Sequence, residues 1–320
     1  MSKVRRALLA VAGLSSLARL GCAKAQSGAI ADGQVLVVSS DTSAASTELL
    51  QELTSGFGMG AMEGHALRLV SLPEFRAQAA SLPLLRMAVA LGLEASRQLA
   101  ASSLPVPILC ALIPRGGFQS VLRASGRQVS AQFTALVLDQ PLARQLALIR
   151  LALPKSQRIG LLTGPESIQY LPSLRALAGT GGWQITQAGL APGQDVFAAL
   201  RQVLDDSDLM LALPDPAVFN GNTLQNILLA ALRARVPLVG FSPAYVRAGA
   251  MLSVHVTPAQ VGAQLGRLLN STLAAGQLPA SMLEPDTFEV AVNTHVARVL
   301  GFDLDAQALK KQLLAAQRSS

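Results

Sequence analysis

The chain has 320 residues, of which 51% are apolar, 14% charged and 4% aromatic. That length allows about two domains, and that composition excludes an intrinsically disordered chain. The formal charge of +7 is not a nucleic-acid footprint, because Lys3, Arg5, Arg6, Arg19 and Lys24 all fall in the first 25 residues with no acid among them. Beyond them the charge is only +2, and no Lys/Arg cluster carries interleaved aromatics, so no nucleic-acid partner is expected.

The basic start and the apolar run Ala7 to Leu20 read as an export signal too short to span a bilayer. Ala23-Lys-Ala25 fits the small-x-small cleavage pattern, so residues 1–25 are expected to leave a soluble periplasmic chain that begins at Gln26. A rival reading places a lipid anchor on Cys22, after Leu20-Gly21; the charge of Arg19 breaks the apolar run and argues against it. Cys110 is the other cysteine, so no internal disulfide is expected.

After the signal, short β-rich runs alternate with amphipathic stretches, as in a mostly parallel α/β sheet. Strands are expected at Val35 to Ser39, Ala66 to Val70, Met87 to Leu91, Val106 to Leu112, Arg158 to Leu162, Leu209 to Leu213 and Pro237 to Gly240, with Val129 to Leu138 extended. Several are apolar on both faces, as buried parallel strands are. Asp139 reads as an N-cap and Pro141 as a first-turn proline for a helix carrying Leu142, Leu146, Ile149 and Leu153, which Pro154 stops. A strand at Ala250 to Val256 precedes a long helix, Pro258 to Ala275, with Val261, Leu265, Leu268 and Leu269 on one face. The count of elements predicts two similar lobes joined by crossings near 138, 250 and 285. Lobe 1 is then 34–138 plus 251–284, and lobe 2 is 139–250 plus 285–316.

Ligands of such sheets bind beyond the carboxyl ends of the strands. The loops there are Ser39 to Ser43, Ala111 to Arg115, Thr163 to Ser167, Pro214 to Pro216 and Phe241 to Tyr245. Ser40 and Thr42 either hold a ligand carboxylate at the start of the next helix or simply cap that helix. Thr163 and Ser167 pose the same choice in the second lobe. Asp215, fixed between two prolines, either contacts ligand or starts a turn. Phe241 and Tyr245 either stack on a flat ligand or fill the core.

Catalytic and metal readings find no support in the residues. Cys110 lies in an apolar run with nothing basic beside it, and His65, His255 and His295 lack ligand spacing. Gly56-Phe-Gly-Met-Gly60 follows a helix and precedes none, so it is no dinucleotide loop, and no P-loop is present. No enzyme activity and no cofactor are expected.

Three stretches carry a resemblance: Leu146 to Leu162, Pro237 to Ala250 and Asn293 to Gly301. Through them the chain resembles, from about Val35 to Asp305, the substrate-binding proteins of ABC transporters, including tryptophan- and tyrosine-binding members with the type I periplasmic-binding-protein fold. The resemblance implies two α/β lobes that close over a small molecule, amino-acid-like or an aromatic acid, and a monomer that docks on a membrane permease. It departs from the family where a Thr-Asp-Pro turn and a Gly-Gly-Asn segment are common, having Ala111 to Arg115 and Arg123 to Arg127 instead. Arg115 is expected to replace the lost polarity by pairing with a carboxylate. The expected site is Ser40, Thr42 and Arg115 on one side, and Thr163, Asp215, Phe241 and Ser242 on the other. A binding fold turned accessory or sensory subunit of a membrane receptor or kinase is the alternative.

Overall fold

The computed structural model describes residues 34–40, 42–58, 67–78, 85–191 and 194–318. The expected export signal, Cys22, Asp41 and the end of the glycine-rich run at Met59 and Gly60 lie outside them. Among the described residues no helix is long and apolar enough to cross a membrane.

The first half alternates β1 (Gln34–Ser39), α1 (Ala44–Gly58), β2 (Leu67–Ser71), α2 (Leu72–Gln78), β3 (Leu85–Leu91), α3 (Leu93–Ala101), β4 (Ile108–Ile113), α4 (Arg115–Ser125) and β5 (Phe133–Val137). Its strands form one parallel sheet in the order β2-β1-β3-β4-β5. The apolar runs Val35 to Val38 and Met87 to Leu91 are buried throughout, because helices cover both faces. Cys110 is one of these core residues; burial pushes its thiol up to about 12, so it is inert at neutral pH.

The second half continues with α5 (Leu142–Ala152), β6 (Arg158–Thr163), α6 (Leu171–Thr180), β7 (Gln184–Gly189), α7 (Val196–Asp205), β8 (Leu209–Leu211), α8 (Leu224–Arg233), β9 (Leu238–Gly240), α9 (Pro243–Ala248) and β10 (Leu252–His255). After α10 (Pro258–Ala275) come β11 (Glu289–Val292), α11 (Thr294–Val299) and α12 (Ala306–Arg318). The second sheet has the order β11-β10-β9-β8-β6-β7, parallel except for the β10–β11 pair. Read as β7-β6-β8-β9-β10, it repeats the winding of the first sheet. Each sheet therefore reverses its strand order at one point, β1/β3 and β6/β8, where α/β sheets present their ligand crevice.

Two expectations are corrected here. The stretch 251–255 belongs to the second sheet, not to the first lobe: Leu252 pairs with Val239 on one side and Val292 on the other. The chain leaves the lobe only after His255, because both edges of β10 are already hydrogen-bonded. Asp139 does not cap α5, whose N-cap position is Pro141. Its carboxylate instead accepts from the Arg115 N–H at the start of α4 and from the Tyr170 hydroxyl.

Helix α10 is what joins the halves. A complete capping box starts it, with Thr257 Oγ1 accepting from the Gln260 N–H and Gln260 Oε1 accepting from the Thr257 N–H. It follows a strand of the second sheet, yet Val261, Leu265, Leu269 and Leu273 pack with Leu49, Leu53, Val35 and Leu136 of the first. At Gly262 the approach to α1 is closest: a Cβ there would stand 2.4 Å from the Leu49 carbonyl oxygen. Alanine usually gains about 1 kcal/mol over glycine inside a helix. Here a backbone oxygen cannot rotate aside, so overpacking wins. Gly262→Ala is expected to lower stability by about 1–3 kcal/mol in urea unfolding. Gly266→Ala, whose Cβ would meet nothing nearer than 3.8 Å, is expected to be neutral or stabilising.

Candidate functional site

The chain passes between the halves at Leu138 to Pro141, at Val256 to Thr257 and at Glu284 to Thr287. These passages are tied to each other. Arg144 of α5 donates to Gln140 Oε1 at 2.6 Å and to the Pro285 carbonyl at 2.9 Å. Gln264 of α10 donates to the Glu284 carbonyl and accepts from the Asp286 N–H. Leu136 and Leu283 extend the first sheet by one bridged step, with Val137 N–H donating to the Leu283 carbonyl and Leu283 N–H to that of Ala135.

Against these passages, where the strand ends of both lobes meet, lies a cavity of about 380 Å³. The first lobe supplies Pro114, the first passage supplies Leu138 to Gln140, and the end of β10 supplies Val254 to Val256. The remaining wall belongs to the second lobe: Gln145, Glu166, Pro214 to Pro216, Phe219, Phe241 to Pro243 and Tyr245.

The sequence builds this wall in two steps. Beyond β8, the Pro214-Asp215-Pro216 turn buries the Asp215 carboxylate, which is 2% exposed. One oxygen accepts from the Glu166 and Ser167 N–H groups and the Ser167 hydroxyl, at 2.8–3.0 Å, and the other from the Ala217 N–H. Gly164 is needed beside it, since a Cβ there would stand 2.7 Å from both carboxylate oxygens. Asp215 thus fixes the loop that carries Glu166. Beyond β9, Phe241 and Tyr245 meet with ring centroids 4.2 Å apart, and each lies edge-on to Phe219 at 6.1–6.3 Å. The Asn293 amide holds the Val246 carbonyl and so the helix behind these rings.

The electrostatics of the cavity are set by its acids. Burial pushes the Asp139 carboxyl up, against the pull of the Tyr170 hydroxyl and the Arg115 N–H. Burial, and then the negative charge of Asp215, raises Glu166, against the weaker pull of Arg123 and Arg97. Burial lowers His255, which is 8% exposed with Ser253 Oγ 3.4 Å from its Nδ1; Glu289 opposes that shift and Arg247 adds to it. Among the described residues no group of three or more His, Cys, Asp or Glu is placed to hold a metal ion.

Of the seven residues expected at the site, Asp215, Phe241 and Ser242 line this cavity. Ser40 and Thr42 line a different hollow, at the end of β1 with Ser71 and Pro73, and the Ser40 hydroxyl is taken by the Leu91 carbonyl and the Ala95 N–H. Ser43, not Thr42, accepts from a first-turn amide of α1, that of Ser46. Thr163 is buried and its Oγ1 accepts from Gln187 of β7. The Arg115 guanidinium pairs with Glu284 and lines a hollow shared with Gln119, Tyr170 and Ser173 instead. Sequence reasoning missed Asp139, Gln140, Gln145, Glu166, Phe219 and His255 as cavity residues. For Glu166 the signal was there, since its loop ends a central strand.

A two-lobed α/β molecule with an aromatic-walled cavity at the strand ends beside three interlobe passages has the fold of type I periplasmic binding proteins. The model of the family described as ABC transporter substrate binding protein matches residues 84–313, more than half of the chain, and the chain belongs to that family. Among solved structures it is similar to a ligand-free, open substrate binding protein with adhesive properties from Clostridium difficile, at 13% identity and a TM-score of 0.66 over 86% of this chain and 96% of that one. It is similar to an ABC domain in complex with L-Trp from Streptococcus pneumoniae, at 14% identity and a TM-score of 0.58 over 88% and 98%. A conserved domain protein from Vibrio cholerae is similar at 20% identity and a TM-score of 0.57 over 89% and 98%. These likenesses show the fold. Among curated proteins none matches the chain.

Two outcomes follow from the site's wiring. Asp215→Ala strands three backbone N–H groups and the Ser167 hydroxyl, and is expected to cost about 3 kcal/mol or more of folding stability in urea unfolding. Ser242→Ala, whose hydroxyl caps nothing, should stay within about 0.5 kcal/mol. For His255, the folded pKa lies below its ordinary 6.5. As pH falls the unfolded chain takes up the proton first, so the contribution to stability is full above 6.5 and is lost as pH falls through the folded pKa. Asp139 and Glu166, with raised pKa values, act with the opposite sign, so the comparison isolates His255. His255→Gln is expected to lose less stability than the parent chain on acidification between about pH 7.5 and about pH 5.

Proposed function

We propose that this protein is the exported solute-binding component of an ABC-type importer, holding a small organic molecule with a flat apolar body in the cavity between its lobes. The observation that carries the reading is the juxtaposition of that cavity with the interlobe passages, in a chain of the substrate-binding family. A molecule held there touches both lobes and the strands on which they swing, so it favours the closed arrangement by its differential contacts alone. The membrane permease is the partner that this reading implies, the working form is a monomer, and the place of work is the periplasm. No step of covalent chemistry is assigned.

The rings of Phe219, Phe241 and Tyr245 give the cavity its preference for the aromatic side of the amino-acid-like or aromatic class. The carboxylate expected to pair with Arg115 has no place in the reading, because Glu284 holds that guanidinium outside the cavity. A thermal-shift screen of the chain from Gln26 against amines, amino acids, aromatic acids, sugars and nucleosides is the test. A true ligand at a hundredfold excess over its Kd adds about 2.7 kcal/mol of stability. Phe241→Ala is expected to weaken that ligand about tenfold through lost burial and stacking. A folded protein that shifts with nothing in the set would sink the importer reading in favour of the accessory one.

A further inference from the structure

The wall of the cavity is acidic, and the groups it leaves free are acceptors. Asp139, Glu166 and Asp215 line it, and among the described residues no Lys or Arg does. Asp215 and Asp139 spend their oxygens on hydroxyl and backbone donors of the protein. Glu166 does not: its carboxylate accepts no hydrogen bond within the described structure, although it reaches across to the first lobe. A Cβ at Gly116 would stand 2.9 Å from Glu166 Oε2.

Two further side chains on the same wall are more than nine-tenths buried with a polar atom unspent. Gln145, 8% exposed, gives its Nε2 to the Gln140 carbonyl and leaves Oε1 without a partner. His255, equally buried, meets Ser253 through Nδ1 and leaves Nε2 without a partner. Neither atom is sealed from the cavity, so a molecule held there can supply the bond. Here the missing partners for Glu166 and Gln145 are donors.

The one backbone feature that would welcome an anion is the start of α4, which points partial positive charge at its surroundings. Two acids already stand at it. Asp139 takes the Arg115 N–H, and Glu166 stands against Gly116 in the same turn. A ligand carboxylate entering here would meet the carboxylates of Asp139 and Glu166, with no guanidinium on the wall.

Resting on the reading of this cavity as the solute site, we propose that its ligand is an aromatic primary amine without a carboxylate, its ring against Phe241 and Tyr245 and its ammonium donating to Glu166 and to Gln145 Oε1. Burial and the charge of Asp215 raise the Glu166 carboxyl, and an ammonium beside it would oppose that rise.

The test is isothermal titration with four compounds that share one ring: phenethylamine, L-phenylalanine, phenylpropionic acid and phenylethanol. Phenethylamine is expected to bind about tenfold or more tighter than the neutral alcohol, as a charge-assisted hydrogen bond in a dry site provides. The two carboxylates are expected to bind weaker than the alcohol. Glu166→Gln, which keeps the shape, should bring the ratio of amine to alcohol affinity towards one; circular dichroism and a retained alcohol signal show the fold is intact. If L-phenylalanine or phenylpropionic acid bound as tightly as the amine, the amine assignment would fall while the solute-site reading stood. The same follows if Glu166→Gln kept the preference. If none of the four bound while the wider screen found another ligand, the assignment would again fall alone. Were no ligand found by either method, both would fall.

Discussion

Everything at the cavity depends on one crossing of the chain: α10 leaves the second sheet at His255 and spends its apolar face on the first. Val261, Leu265 and Leu269 are each essentially without exposure, and Gly262 lets the helix lie on the backbone of α1. Burying a leucine side chain contributes about 1.5–3 kcal/mol, so this helix cannot detach while the lobes move. The chain must then return from the first lobe to make β11. The return strand, the departing strand and the segment after β5 end up side by side, and the Arg144 and Gln264 side chains bind them together. Lobes tied this way can rotate about the passages but not separate. The cavity sits against them, where both sets of strand ends reach.

Within the cavity, rigidity and charge come from the same device. Buried carboxylates are costly unless donors surround them. Asp215 is surrounded by backbone N–H groups, and the cost of burying it is offset by fixing a loop that would otherwise be free to move. Asp139 does the same between lobes, joining Tyr170 of one to the first turn of α4 in the other. Its position just before α5 made it look like that helix's own cap. The cap it provides is real but belongs to a different helix, 24 residues earlier in the chain.

This is the general pattern of what the sequence made legible. Buried parallel strands announce themselves as apolar runs, so β1, β3, β4, β6, β8 and β9 are visible without coordinates. The edge strand β7, Gln184–Gly189, reads QITQAG and is half-exposed along most of its length; nothing in its composition separates it from a loop. Strand ends are legible too, and with them which loops face the crevice. What a strand end does not reveal is the side to which its polar residue turns. Thr163 turns to Gln187 on the neighbouring strand, Ser40 turns under α3, and Arg115 turns to Glu284, 169 residues away. Phe241 and Ser242 stayed at the cavity because the turn that follows β9 is short and proline-fixed. For the remaining residues, long-range hydrogen bonds decided the matter, and local pattern carries no trace of those.

The uneven ownership of the cavity bears on how closure selects a ligand. Contacts that persist in both open and closed arrangements bind without shifting the balance between them. Nearly the whole wall, including the three rings and Pro214 to Pro216, moves with the second lobe. A flat ligand therefore keeps most of its apolar burial whichever way the lobes stand. What changes on closing is the meeting of Pro114 and the first turn of α4 with Glu166. In the proposed reading, affinity comes chiefly from the rings and the bias toward the closed form from the polar seam. In the same reading, a ligand group that neutralises Glu166 stabilises that seam, and a second negative charge opposes it. On that reading the rings admit a shape, and the seam reads a charge.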